Sequence, residues 1–127
     1  MPSGRHASHI LIVEDERPLA HALELKFRHE GYDVAVAGDG AEALKMAKAS
    51  HFDVILLDLI MPNMDGFTFM EELGKKASKA RIIILSNLGQ DEDKQRAEKL
   101  GAIGYYVKSN TPITEIVHCV KETLSKS

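Results

Sequence analysis

Three short runs in this 127-residue chain are almost purely aliphatic: Ile10–Val13, Val54–Leu57 and Ile82–Leu85. Four apolar residues in a row, without polar alternation, suit strands buried on both faces of a parallel sheet. Two further runs are more mixed: Asp33–Ala37, which reads as an edge, and Ile103–Val107. Helical patterns lie between them. Leu19, Leu23 and Phe27 recur every four residues after Pro18, a residue suited to a first turn, and Gly31 supplies a left-handed cap. A second helix is expected over about 41–49, with Ala43, Leu44 and Ala47 as its stripe. A third starts near Asp65-Gly66, after a turn at Pro62, and carries Phe69, Met70 and Leu73. A fourth, about 91–100, has only Ala97 and Leu100 as apolar residues. The last opens at Thr111-Pro112, read as a cap and a first-turn proline, and carries Ile113, Ile116, Val117, Val120 and Leu124. Strand then helix, five times over, predicts an α/β doubly wound five-stranded parallel sheet.

Composition narrows the function classes. A net charge of −3 argues against a nucleic-acid footprint spread over the domain, and no direct nucleic-acid binding is expected. Cys119 is the one cysteine, so no disulfide can form within the chain and a reducing compartment is expected. The polar opening Met1–Ser8 lacks the apolar stretch of a signal peptide. No apolar run approaches the roughly 20 residues of a membrane helix. The expectation is a cytoplasmic protein with one domain over residues 8–125, preceded by a disordered or loosely ordered segment, 1–7; whether it is a stand-alone domain or a piece of a longer chain stays open.

The polar residues that follow each apolar run carry the chemistry. Val13 leads into Glu14 and Asp15, Leu57 into Asp58, Leu85 into Ser86, and Val107 into Lys108. Ligands of open parallel sheets bind beyond the carboxyl ends of the strands, so these side chains share one rim. Polar residues commonly end strands, but three carboxylates, a hydroxyl and an ammonium from four strand ends form a specific set. Two carboxylates about 5 Å apart repel by roughly 3 kcal/mol at an effective dielectric near 20. Lys108 balances only one of them, and a divalent cation completes the charge. Mg²⁺ suits such a site because it binds through one or two carboxylates and accepts phosphate oxygens. A carboxylate beside that ion can attack phosphorus, with the ammonium and hydroxyl stabilising the transferred group.

At these residues the chain resembles the receiver domain of bacterial response regulators, the phospho-accepting half of two-component phosphorelay signal transduction. The matching pieces are Ile-Leu-Ile-Val-Glu-Asp-Glu (10–16), Asp-Leu-Ile-Met-Pro-Asn-Met-Asp-Gly (58–66), Leu-Ser-Asn (85–87) and Gly-Ala-Ile-Gly-Tyr-Tyr-Val-Lys (101–108). The resemblance implies a flavodoxin-like fold with strand order 2-1-3-4-5. It implies Asp58 as phospho-acceptor, and Mg²⁺ or Mn²⁺ held by Asp15, Asp58 and the backbone carbonyl of Ile60, with Glu14 acting through a metal-bound water. Lys108 would pair with Asp58 and then with the phosphoryl group, and Ser86 would donate its hydroxyl to a phosphoryl oxygen. Tyr105 matches the aromatic switch that turns inward as the Ser86 loop moves. The implied partners are a sensor histidine kinase or phosphotransfer protein, a downstream target or output domain, and a phosphorylation-dependent homodimer. Output would leave by the face built from the fourth helix, fifth strand and fifth helix. Such a phosphoprotein is a signalling domain that catalyses only its own phosphorylation and dephosphorylation.

Departures from the family pattern matter too. Ser109 replaces the usual proline after the lysine. A cis bond before a non-proline residue costs about 3–4 kcal/mol, so a trans bond with a shifted turn is expected. Asn87 stands where a small residue is usual, and Ile60 and Leu88 are apolar at positions that in the family influence access of hydrolytic water. Slow autodephosphorylation is therefore expected.

Rival readings are weaker. Gly38-Asp39-Gly40-Ala41-Glu42-Ala43 fits a loose dinucleotide fingerprint but follows the second strand rather than the first. A phosphatase using an aspartyl phosphate needs a second aspartate where Ile60 stands. A phosphorylation-independent interaction domain on the same scaffold remains the alternative, disfavoured because every active-site residue type is retained. The histidines lack metal-ligand spacing, and Cys119 borders an apolar stripe as a structural residue.

Overall fold

A computed structural model describes residues 8–74 and 80–125; segment 1–7, expected above to be loosely ordered, lies outside them. The strands are β1 (His9–Val13), β2 (Asp33–Ala37), β3 (Val54–Leu57), β4 (Arg81–Ser86) and β5 (Ala102–Val107). The helices are α1 (Arg17–His29), α2 (Gly40–Ala49), α3 (Gly66–Leu73), α4 (Asp91–Lys99) and α5 (Ile113–Ser125). All strand pairs are parallel and the sheet order is β2-β1-β3-β4-β5, as expected, with Asp33–Ala37 at one edge.

Alternation along the aliphatic strands divides the core in two. Leu11, Val13, Ile55, Leu57, Ile82 and Ile84 face α2, α3 and α4. Ile10, Ile12, Val54, Leu56, Ile83 and Leu85 face α1 and α5, where they meet Leu23, Phe27, Ile116, Val117 and Val120. Both faces are covered, which is why these runs contain no polar residue.

Local signals set the element ends. Gly31 adopts φ 95°, the left-handed cap expected after α1. Asp39 caps α2 by accepting the Glu42 amide at 2.7 Å, while the Glu42 carboxylate accepts the Gly38 amide at 2.9 Å. The glycines of this loop thus serve the helix start. Gly40 has a second reason: a β-carbon there would fall 2.1 Å from the Met64 carbonyl oxygen. Asp65 caps α3 through the Thr68 amide at 2.8 Å. One expected cap is different. The Thr111 hydroxyl donates to the Val107 carbonyl at 2.8 Å, and the Pro112 carbonyl takes the first bonds of α5, from the Glu115 and Ile116 amides. A free carbonyl acceptor was available nearby, so the threonine closes the preceding turn instead.

In α4 only Ala97 is buried. Arg96 ties the helix to α3, its guanidinium lying 4.2 Å over the Phe67 ring and pairing with the exposed Glu71 carboxylate at 3.9 Å.

Candidate functional site: an acidic rim around one lysine

Because the strands are parallel, their carboxyl ends share one rim, and the chain turns polar at each. Glu14 and Asp58 are 3% and 4% exposed and Ser86 is fully buried, while Asp15 is exposed. One oxygen from each of Glu14, Asp15 and Asp58 lies within 4.8 Å of the others. Lys108 reaches in from the end of β5. Its ammonium donates to Asp58 Oδ2 at 2.8 Å, to Glu14 Oε2 at 2.9 Å and to Glu16 Oε1 at 3.0 Å. The other Asp58 oxygen accepts the Ile60 amide at 3.1 Å, so both carboxylate oxygens are held.

Four carboxylates therefore face one ammonium. Burial pushes the Glu14 carboxyl above its usual value, opposed by the Lys108 bond and by the Glu16 amide, and reinforced by the charge on Asp58. Burial alone would pull Lys108 down, but its bonds to Asp58, Glu14 and Glu16 outweigh that and raise it. The lysine is thus a permanent cation here. The donor set left over is all oxygen and mostly anionic, which fits a hard divalent cation and excludes a soft one.

A second set of contacts lies beyond β4. The Leu88 amide donates to Ser86 Oγ at 3.4 Å, and the Leu88 carbonyl accepts the Tyr105 hydroxyl. One residue therefore joins the Ser86 side chain to Tyr105. Tyr105 is half-buried and its phenol is pushed up to about 12, by burial first and then by the charges of Asp93 and Asp58. Its neighbour Tyr106 faces the other side, sharing a 2.8 Å hydrogen bond with Cys119 Sγ. The Lys108–Ser109 peptide is trans, and Lys108–Asn110 forms a 3₁₀ turn. With no proline there, Ser109 keeps its amide hydrogen, which it donates to Asn87 Oδ1 at 3.1 Å.

The structure brings together Glu14, Asp15, Asp58 and Lys108, all singled out from the sequence. Two features were not anticipated. Glu14, expected to act through a metal-bound water, here holds the lysine directly. Glu16, assigned no role, supplies a third carboxylate to the same ammonium. The available signal was its position two residues beyond Glu14, just past a strand end. Ile60, two residues beyond Asp58, is 54% exposed, and Leu88 is half-buried.

Comparisons with known proteins agree with this geometry. Residues 10–121 match the family model of the response regulator receiver domain. The chain belongs to that family. A probable transcriptional regulator, ycf27 of Porphyridium aerugineum, is 40% identical over 81% of this chain and 42% of its own length. The alkaline phosphatase synthesis transcriptional regulatory protein PhoP of Bacillus subtilis is 35% identical over 93% of this chain and 49% of its own. The chain thus spans less than half the length of these curated relatives. Among solved structures, a Francisella response regulator receiver domain aligns with TM-score 0.85 and 32% identity, covering 94% of this chain and 98% of that one. The response regulator TrrA of Thermotoga maritima, in complex with Mg²⁺-BeF, aligns with TM-score 0.79 and 31% identity, covering 91% and 98%. This is a receiver domain of the two-component response regulators, a signalling domain. Among the described residues, no helix is long and apolar enough to cross a membrane.

Proposed function

We propose that residues 8–125 form a phospho-accepting switch in which Asp58 takes a phosphoryl group from the phosphohistidine of a sensor histidine kinase or phosphotransfer protein. The observation that carries this is the buried Asp58 carboxylate, 2.8 Å from the Lys108 ammonium and grouped with Glu14 and Asp15. An Asp58 oxygen attacks phosphorus, the P–N bond breaks, and the imidazole leaves with the electron pair. Mg²⁺ or Mn²⁺, held by Asp15, Asp58 and the Ile60 backbone carbonyl with Glu14 acting through water, would neutralise the phosphoryl oxygens. Lys108 stays with the acceptor and turns to the transferred group, releasing Glu14 and Glu16. Ser86 exchanges its Leu88 contact for a phosphoryl oxygen, and Tyr105, bound to the same residue, follows. The α4–β5–α5 face then signals to an output domain, a separate target or a second copy, in the cytoplasm. No other molecule is turned over.

The test is acetyl phosphate, or beryllofluoride, with Mg²⁺. With acetyl phosphate the wild type should gain one phosphoryl mass, and with either reagent its amide spectrum should change, while Asp58→Asn does neither. An unchanged wild type would sink the switch and leave the phosphorylation-independent interaction domain as the reading. Ile60 and Leu88 present apolar side chains to the water that must reach the acceptor, so autodephosphorylation should be slow. A half-life of seconds at neutral pH without a phosphatase contradicts that.

A further inference from the structure

We infer that Asn87 is a positioning residue whose side chain, by accepting the Ser109 amide hydrogen, ties the loop carrying Ser86 to the turn carrying Lys108. This deepens the proposed switch and rests on it. β4 and β5 are paired up to Ser86 and Val107, after which the regular ladder stops. Beyond these residues both chains leave the sheet: Asn87 follows the hydroxyl of the site and Ser109 follows its ammonium. Among the described residues one hydrogen bond bridges this gap, from Ser109 N to Asn87 Oδ1 at 3.1 Å, and it depends on two sequence choices at once. A proline at 109 would have no amide hydrogen to give. A small apolar residue at 87 would have no oxygen to receive it.

Lys108 is held at two ends. Its ammonium is fixed by carboxylates from the segments just after β1 and β3. Its backbone lies in a three-residue 3₁₀ turn with little packing, for Ser109 and Asn110 are exposed. The Asn87 bond is the tie at this second end that comes from a neighbouring strand. When the phosphoryl group takes Lys108 away from Glu14 and Glu16, the turn keeps its place against β4 through Asn87. Any shift of Ser86 toward the phosphoryl group carries Asn87, and with it the Ser109 amide, in the same direction. The two donors to the phosphoryl group are thereby made to move as a unit.

The experiment makes two measurements, the first on wild type and Asn87→Ala, the second on these two together with Ser109→Pro and the double variant. The first is hydrogen exchange of the Ser109 amide in metal-free protein. Asn87→Ala should speed it about threefold to tenfold, the worth of one hydrogen bond, with the melting temperature unchanged because both residues are exposed. The second is the apparent affinity for beryllofluoride with Mg²⁺. Each single variant should weaken it by a similar factor, and the double variant should be no weaker than the weaker single, because both remove one contact. Unaltered Ser109 exchange in Asn87→Ala overturns the tie. Altered exchange with unchanged affinity, or strictly additive losses, overturns its positioning role. A wild type that binds no beryllofluoride, like Asp58→Asn, overturns the phospho-acceptor reading and the positioning role with it, while leaving the exchange result to report on the bond alone.

Discussion

Replacing Lys108 by glutamine isolates the charge balance of the rim. In the wild type the ammonium sits 2.8 Å from both Asp58 and Glu14, and these two carboxylates are almost wholly buried. Glu16 is 59% exposed, so its share is screened and small. Removing one partner of a buried ion pair costs about 3–5 kcal/mol, because the remaining charge is stranded. Proton sharing between the two stranded carboxylates recovers part of this, so the lower end, about 3 kcal/mol at pH 7, is expected. For a domain of this length each 1 kcal/mol moves the melting point by about 4 °C, giving a drop of about 12 °C. The pH dependence has a definite sign. The Glu14 carboxyl is already raised by burial, and the substitution deletes a bond that lowers it. A carboxyl raised in the folded state adds stability below its unfolded value and loses it as pH climbs through the folded one. The deficit of the variant should therefore shrink on acidification from pH 7 to pH 5. It should also shrink with Mg²⁺, since ion at ten times its dissociation constant adds about 1.4 kcal/mol and the variant, lacking the competing ammonium, should bind it more tightly. Urea or thermal unfolding at the two pH values, with and without Mg²⁺, measures all of this. A variant within 1 kcal/mol of wild type, or a deficit indifferent to both acid and Mg²⁺, would falsify the view that this rim is a charge-frustrated cation site.

Three further outcomes are expected. Gly40→Ala sets a β-carbon 2.1 Å from a backbone oxygen of the Met64 turn, and should cost about 3 kcal/mol in urea unfolding. Arg96→Ala removes the cation over the Phe67 ring, and should lower global stability by about 0.5–1 kcal/mol while speeding amide exchange throughout α4. Tyr106 is raised to about 12 by its bond to Cys119 and then by burial, and Tyr105 to about 12 by burial; the stability they add is complete below pH 10 and disappears as pH rises through about 12. Tyrosinate absorbance should show both titrating late, and Cys119→Ala should bring Tyr106 back toward 10 without moving Tyr105.

The sheet was legible because its strands are buried on both faces, which forces apolar runs with abrupt polar ends. For the same reason the placement of Asp58 and Lys108 on one rim followed from their positions just after Leu57 and Val107. Side-chain pairing was less legible. Glu14 and Glu16 reach Lys108 through flexible side chains whose direction depends on where an ammonium some 90 residues away comes to rest. Thr111 had the residue type of a cap, but a carbonyl left free by the end of β5 competed for its hydroxyl and won. Asn63 shows the same limit: its left-handed φ of 68° and its 2.8 Å bond to Asp39 join two loops that no local pattern connects.

Gly66 bears on how the domain can respond. A β-carbon at this position would lie 2.6 Å from the Asp58 carbonyl oxygen and 2.8 Å from Leu59 Cα, so the start of α3 is seated on the acceptor's own main chain. On the opposite flank the contacts are made by side chains: the Ser86 hydroxyl holds the Leu88 amide, Lys108 holds Asp58, Glu14 and Glu16 through its ammonium, and Asn87 holds the Ser109 amide. Asp58 thus sits like a nail driven into a fixed board beside a hinged one. If it takes a phosphoryl group as proposed, the added bulk would find no give on the α3 side, and the displacement would be left to β4, β5 and the lightly packed α4.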